Sequence, residues 1–435
     1  MRHMATTSLL TDHYELTMLQ AALASGTAHR RCTFEVFTRR LPAGRRYGVL
    51  AGTGRFLEGL QSFRFDDEDL SFLASRNVVN AQTLKYLENF RFTGNIRGYV
   101  EGEIFFPHSP VVQVEATFAE ACVLETYLLS ILNYDSAVAS AASRMTAAAG
   151  HRPCIEMGSR RAHERAAVSA ARAAAIAGFT ATSNLEAGRR YGLHTLGTSA
   201  HAFTLLYDSE REAFEAQLQS LGARTTLLAD TYDVENAVRL GVELAGEELG
   251  GVRLDSGDLV ASAQRVRELL DSLGNHNTKI TVTSDLDEYA IASLAAAPVD
   301  SYGVGTRLVT GSGAPTSAMV YKLVERENTA GELEPVAKTS AGKRSLGGAK
   351  QAARRHNSLG IATAELIGTG NNPAALENTR DLIRDFVVSG ELLPGFTGEE
   401  AVRNATERHS ASLTELPESA RRLSEGEPVI PTEFI

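Results

Sequence analysis

Pro153-Cys154-Ile155, Phe179-Thr180-Ala181-Thr182, Leu193 to Leu196, Thr225 to Ala229, Gly251-Val252-Arg253-Leu254, Lys279 to Thr283 and Asp300 to Val304 are seven short apolar runs, with helical stretches of about ten to fifteen residues between most of them. They end on polar or turn-forming groups near Glu156, Ser183-Asn184, Gly197-Thr198, Asp230, Asp255, Ser284-Asp285 and Gly305-Thr306. Parallel strands need crossover connections, and the helical stretches supply them. The rhythm from Cys154 to Gly305 therefore predicts about seven βα steps in a parallel barrel whose strand C-termini carry the active site. An open doubly wound sheet is the alternative, because periodicity does not show closure.

Outward from this core the pattern changes. Leu9 to Ala24 predicts a helix capped by Thr11 or Asp12, and Cys32 to Phe37 alternates like a half-buried strand. Arg39 to Tyr47 is turn-rich and holds four arginines, Arg39, Arg40, Arg45 and Arg46, read as solvated surface or as a lid over a polyanionic substrate. Arg97 to Val114 reads as strands, and Phe118 to Leu132 as a helix where the domain changes. Val320 to Val324 predicts a strand, Lys338 to Lys350 a basic, glycine-rich loop, and Pro373 to Ile435 helices with loops, including Thr379 to Val388 and Ala401 to Ser410. The expected organisation is α/β throughout. Residues 117–320 form the barrel, while 1–116 and 321–435 make one discontinuous α/β domain.

The chain has 435 residues, 43% of them hydrophobic, enough for a large core and about two or three domains. Its net charge of -10 argues against a nucleic-acid groove, which needs a basic field. The three cysteines, Cys32, Cys122 and Cys154, have neither zinc spacing nor an even number, so they are read as core residues in a reducing compartment. Asp12, His13 and Glu15 interrupt the early apolar pattern, and no apolar run is long enough to cross a bilayer. No membrane association and a cytoplasmic location are expected. Met1-Arg2-His3-Met4 contains a second possible start.

The strand ends carry the chemistry. Glu156, Asp230 and Asp255 are helix caps taken singly and a polar pocket taken together. Gly197-Thr198-Ser199-Ala200-His201 passes from strand to helix, where free backbone N–H groups suit an anion. His201 either closes the strand with locally satisfied nitrogens or, being nucleophilic, receives a phosphoryl group. In Arg253-Leu254-Asp255-Ser256-Gly257-Asp258, alternation points Arg253 and Asp255 to one side. A guanidinium suits a phosphate, and the Asp255 and Asp258 carboxylates suit sugar hydroxyls or a hydrated magnesium ion. Arg160 or Arg161 can pair with a small carboxylate, or lie on a solvated helix face. Gly303-Val304-Gly305-Thr306-Arg307 and Gly311-Ser312-Gly313 follow the last strand, where barrels hold phosphate or simply turn.

Leu10-Thr11-Asp12-His13-Tyr14, Glu156-Met157-Gly158-Ser159-Arg160-Arg161, Gly197 to His201, Ala229-Asp230-Thr231-Tyr232-Asp233, Arg253 to Asp258 and Gly303 to Thr306 together resemble nicotinate phosphoribosyltransferase, in order, from about Leu9 to Lys350. The resemblance implies an irregular βα barrel joined to an α/β domain, in a homodimer with shared active sites that joins nicotinate to phosphoribosyl pyrophosphate. ATP is a co-substrate, coupled through a phosphohistidine, and Mg2+ is a cofactor.

Carried over residue by residue, His201 matches the phosphorylated histidine, and Tyr14 the aromatic that one protomer lends to its partner's pyridine ring. Met157 stands where relatives often have phenylalanine, and a thioether still packs on a ring. Arg160 matches a carboxylate or phosphate contact and Arg253 a phosphate contact. Asp255 and Asp230 match the ribose and magnesium side, and Gly303 and Gly305, with Thr306, the 5′-phosphate cradle. Gly197, Thr198 and Ser199 fall on the substrate side. Nicotinamide phosphoribosyltransferase shares most of these motifs, but carries at the position of Ser199 an aspartate that would repel nicotinate. A non-catalytic barrel that binds a phosphorylated ligand is the alternative from another class.

Overall fold

The computed structural model describes residues 6–338 and 346–435. The chain divides into two compact units, one from Ala141 to Gly313 and the other built from the residues up to Ser140 and from Ala314 onward. The sequence reading sets these divisions at 116/117 and 320/321. The helix expected to stop at Leu132 breaks after Cys122 and resumes as Glu125–Ala149, carried on by an Ala- and Ser-rich stretch.

The 141–313 unit holds six strands, β1 (Cys154–Glu156), β2 (Ala181–Thr182), β3 (Thr226–Leu228), β4 (Gly251–Leu254), β5 (Lys279–Val282) and β6 (Ser301–Val304). All pairs are parallel, in the order β2-β1-β6-β5-β4-β3. From β3 to β6 and on from β1 to β2, each step moves to the next place in one direction, with β6 beside β1. That circular order belongs to a curled sheet; a doubly wound sheet would reverse it.

Closure is where the expected barrel of about seven strands needs correction. The seventh run, Leu193 to Leu196, adds one parallel bridge, Thr195 to Thr182, and among the described residues no ladder joins it to β3. Its side chains are half or fully exposed, so it lacks the two-sided burial that holds the other strands. The result is a half-barrel.

Crossing helices bury one stripe each: Ala263, Val266, Leu269 and Leu270 on Leu259–Ser272, and Ala237, Val238 and Gly241 on Val234–Ala245. Ser209, Asp233, Asp258 and Asp287 cap the N-termini of four helices with their side chains, each worth about 1 kcal/mol.

The other unit is led by an antiparallel sheet in the order Leu333–Pro335, Met319–Glu327, Arg31–Thr38, Val112–Thr117, Asn95–Gly98, Arg384–Val388, Glu391–Leu392. Three strands from before the parallel unit thus lie together in the middle of one sheet, flanked on each side by two from after it. The strand read as half-buried is buried on both faces from Cys32 to Thr38, because its polar side has partners. Lys350 Nζ donates to Glu35 at 2.8 Å, while Phe34 stacks on Tyr321. A second sheet joins Thr379–Asp381, Lys350–His356, Ala362–Thr369 and Thr432–Phe434. In its core Arg354, fully buried, donates to Glu103 at 3.1 Å and Glu365 at 2.6 Å.

Several local expectations change. Thr379 to Val388 is not helical: Thr379–Asp381 and Arg384–Val388 are strands, because Phe386 and Val387 are buried against Asn95–Gly98. Ala401 to Ser410 lies inside the helix Gly398–Glu415 as expected. The first long helix starts at His13, leaving Leu9 and Leu10 in a 3-10 turn, since Thr11 is extended and its hydroxyl donates to Val123 O at 2.9 Å. Arg45 and Tyr47 are buried, so the arginine-rich turn is not wholly solvated. The three cysteines are buried and free. Among the described residues no helix is long and apolar enough to cross a membrane. Met1 to Met4 and residues 339–345 of the basic loop lie outside the described residues.

Candidate active site

A cavity of about 450 Å³ opens at the C-terminal ends of the parallel strands. Each strand but β3 delivers lining groups at its end: Met157 and Arg160 after β1, Ser183 after β2, Asp255 after β4, Thr283 to Asp285 after β5, and Gly305 and Thr306 after β6. The turn Gly197 to Ala200 supplies another wall. Ten residues expected from the sequence meet there: Met157, Arg160, Gly197, Thr198, Ser199, Arg253, Asp255, Gly303, Gly305 and Thr306.

Arg253 ties the weakly paired turn to β4. Its Nη1 donates to Thr198 Oγ1 at 2.8 Å and to Ser199 O at 3.1 Å, while Nε has no hydrogen-bond partner. Burial lowers its pKa, and Arg160 adds to this, against the pull of Asp255 and Asp230. An arginine nevertheless keeps its charge, so the cavity holds a desolvated cation suited to an anionic ligand.

The acidic side is layered. Asp255 lines the cavity and accepts from the Thr283 hydroxyl through Oδ1. Asp230 sits behind it: Oδ2 accepts from Asp255 N at 2.9 Å and Ser256 Oγ at 2.6 Å, and Oδ1 is buried without a hydrogen-bond partner. His201 opens the short helix His201–Thr204 and borders the same pair. Its Nδ1 lies 3.1 Å from Thr231 Oγ1, and its Nε2 lies 3.9 Å from Asp230 Oδ1 and 4.0 Å from Asp255 Oδ2. These last spacings are too long for hydrogen bonds but close enough for a charged imidazole to feel both carboxylates.

Glycine at 303 has a packing reason: a Cβ would stand 2.5 Å from Thr283 Cγ2 and 2.7 Å from Met157 Sδ. No such crowding exists at Gly197, where added carbon meets open space.

The remaining expected residues lie elsewhere. His201 and Asp230 stand just behind the lining layer. Glu156 does not join the acidic rim; it is fully buried, bonded to Gly158 N and the Thr182 hydroxyl, and burial raises its pKa. Asp258 is spent as the cap of Leu259–Ser272, accepting from Ala261 N at 3.0 Å. Arg307 is exposed on the turn Thr306–Val309 and does not line the cavity, nor do Gly311 to Gly313. Tyr14 belongs to the other unit, 45% exposed on His13–Ser25, and burial of its hydroxyl beside Glu125 and Glu15 raises its pKa to about 12.

Some lining residues escaped the sequence reading as site members: Arg161 as more than an alternative, Ser183, Thr283, Ser284 and Asp285. The rule that found Asp255, a polar group just past a parallel strand, also picks out Ser284-Asp285. Ser284 adds a backbone sign, φ 116, which a non-glycine residue rarely adopts. Among the described residues no group of three or more His, Cys, Asp or Glu is arranged to hold a metal ion.

A curled parallel sheet with a polar cavity at its strand ends defines an α/β protein of the barrel-derived class. Residues 9–133 match the family model of the nicotinate phosphoribosyltransferase N-terminal domain, and residues 153–361 match that of the nicotinate phosphoribosyltransferase family. Nicotinate phosphoribosyltransferase pncB1 of Mycobacterium tuberculosis is 53% identical, over 98% of this chain and 95% of its own. The Bacillus subtilis nicotinate phosphoribosyltransferase is 38% identical, over 74% of this chain and 67% of its own. The crystal structure of human nicotinic acid phosphoribosyltransferase superposes with a TM-score of 0.82 at 25% identity, covering 97% of each chain. The chain belongs to the nicotinate phosphoribosyltransferase family.

Proposed function

We propose that this chain joins nicotinate to the ribose of phosphoribosyl pyrophosphate, giving nicotinate mononucleotide and pyrophosphate for NAD biosynthesis or salvage. ATP hydrolysis is coupled to the transfer through phosphorylation of His201. The observation that carries the reading is the 53% identity to a named nicotinate phosphoribosyltransferase along 98% of the chain.

The chemistry fits the groups available. The pyridine nitrogen attacks C1′ with its lone pair as the bond from C1′ to the pyrophosphate oxygen breaks, and that oxygen keeps the electron pair. The nitrogen carries no proton, so no general base is needed. The work is electrostatic: positive charge grows on the ribose, where the Asp255 carboxylate opposes it, and negative charge grows on the leaving group, where Arg253 receives it. Arg160 or Arg161 pairs with the nicotinate carboxylate, Met157 packs on the ring, and Gly303, Gly305 and Thr306 hold the 5′-phosphate. Tyr14, 45% exposed on His13–Ser25, is the aromatic ring that one protomer lends to its neighbour in a homodimer.

His201 suits phosphorylation in the tautomer whose Nδ1–H donates to Thr231 Oγ1, because Nε2 then keeps the lone pair of a nucleophile. Nε2 attacks the γ-phosphorus, the bond to the β-bridging oxygen breaks, and ADP leaves; water later releases the phosphate. Magnesium fits a site with few protein ligands, since the ion takes most of its shell from water and substrate phosphates. Asp255, on the cavity wall, would hold it, with the Asp230 carboxylate adding negative charge from behind, and Asp258, occupied as a cap, would not. When bound, the ion neutralises charge on the departing pyrophosphate.

The test is to incubate the protein with phosphoribosyl pyrophosphate, Mg2+, ATP and either base, and to separate the products by chromatography. Nicotinate mononucleotide is expected. Product from nicotinamide alone refutes the substrate choice, and product from neither leaves a phosphorylated-ligand-binding protein as the reading. His201→Ala should keep a basal rate and lose the stimulation by ATP; undiminished stimulation, or no label on histidine from γ-labelled ATP, rules out the coupling.

A further inference from the structure

Gly311-Ser312-Gly313 does not line the cavity, yet its backbone is unusual: φ is 61, 54 and 88 at the three positions. A left-handed serine persists only where its surroundings hold it. The holder is Glu288. Ser312 Oγ donates to Glu288 Oε2 at 2.5 Å, and Arg144 Nε donates to Glu288 Oε1 at 3.0 Å. Both charged side chains are about 95% buried, at 5% and 4% exposure. Arg144 also reaches Tyr289 Oη at 3.3 Å.

The three partners come from different places in the unit. Glu288 opens the helix Glu288–Ser293, directly behind Ser284 and Asp285 on the cavity wall. Ser312 follows the turn Thr306–Val309, whose first residue lines the cavity beside Gly305. Arg144 lies in the last part of the helix Glu125–Ala149. One buried carboxylate therefore fastens the chain leaving β5 to the chain leaving β6, and both to a helix.

We infer that Glu288 is a positioning residue: through Ser312 and Arg144 it sets the spacing between the Ser284-Asp285 wall and the Gly305-Thr306 wall, and so the fit of the phosphorylated sugar between them. The identity of that sugar rests on the function proposed above; the clamp itself does not.

Ser312→Ala removes the hydroxyl donor and substitutes no residue that lines the cavity. It should raise the KM for phosphoribosyl pyrophosphate about five- to tenfold, as expected for losing a hydrogen bond to a charged group whose effect is partly transmitted. The kcat and the KM for nicotinate should stay within about twofold. Ser312→Asn, which tolerates the left-handed backbone and keeps a donor, should restore most of the loss. Glu288→Gln, which also takes the charge partner from the buried Arg144, should act in the same direction and more strongly. Hydrogen exchange of residues 284–287 and 305–310 should quicken together in Ser312→Ala. Unchanged exchange in both segments, or unchanged KM in a folded Ser312→Ala with active wild type, overturns the inference. A wild type that makes no mononucleotide, with exchange still quickened, overturns the substrate reading and leaves the clamp standing.

Discussion

Replacing Glu15 by glutamine should flatten the pH dependence of stability. Glu15 is fully buried; Oε1 accepts from Thr126 N at 2.9 Å, and Oε2 has no hydrogen-bond partner. Burial raises its pKa from 4.5 to about 7, with the Thr126 hydrogen bonds opposing and the Glu125 and Asp12 charges adding to the rise. Tyr14, Cys122 and Tyr321 face the same carboxylate and stay neutral across this range, and Lys322 lies on the far side of Glu125 at 3.8 Å. Between pH 4.5 and 7 the unfolded chain releases a proton that the folded chain keeps, so stability falls as pH rises through this window and levels off above it. At about 1.4 kcal/mol per pH unit the full difference is roughly 3 kcal/mol, and relaxation of the site reduces it to about 1–2 kcal/mol. Urea unfolding of wild type and Glu15→Gln at pH 5 and pH 8 gives four free energies. The double difference removes glutamine's own packing cost and every titrating group not coupled to Glu15, leaving Glu15 with its neighbours Glu125 and Asp12. A value near zero refutes the assignment of a neutral, buried Glu15.

Gly303→Ala should cost about 1–3 kcal/mol, because the new methyl must displace Thr283 or Met157. It should also lower kcat/KM at least tenfold, as measured by thermal melting and mononucleotide formation. Arg354→Met should destabilise by about 3–5 kcal/mol in urea titration, since it strips the buried Glu103 and Glu365 of a shared cation. Burial alone would raise the pKa of Glu103, but Arg354 and Arg380 hold it down to about 2. This contribution is present above the ordinary carboxylate range and is lost as pH falls toward 2, so the variant should unfold at a higher pH on acid titration.

The parallel unit was the readable part. Its strands are short and bounded by turn residues, and the polar group ending each one is a local signal, so Arg253, Asp255 and the Gly303 to Thr306 stretch could be found by position. Closure could not be read, because it depends on whether Leu193 to Leu196 finds a second neighbour, and the run itself looks like any other strand. Asp258 and Glu156 show the limit of residue type: an aspartate three residues before an amide caps a helix, and a glutamate at a strand end turns inward when Thr182 and Gly158 can satisfy it. Around the parallel unit, Arg384–Val388 defeated the helical reading because its partner strand lies far back in the chain, at Asn95–Gly98. Local propensity does not register a partner nearly three hundred residues away.

The interleaved sheet also governs how the chain can be made. Arg31–Thr38 pairs on one side with Val112–Thr117, but its other edge waits for Met319–Glu327. At roughly 5–20 residues per second of synthesis, that edge stays open for about 15–60 s on a nascent chain. The intervening parallel unit has time to fold first. Through that interval an apolar strand with unpaired amides is exposed to other nascent chains, and a ribosome-associated chaperone would find its clearest target there.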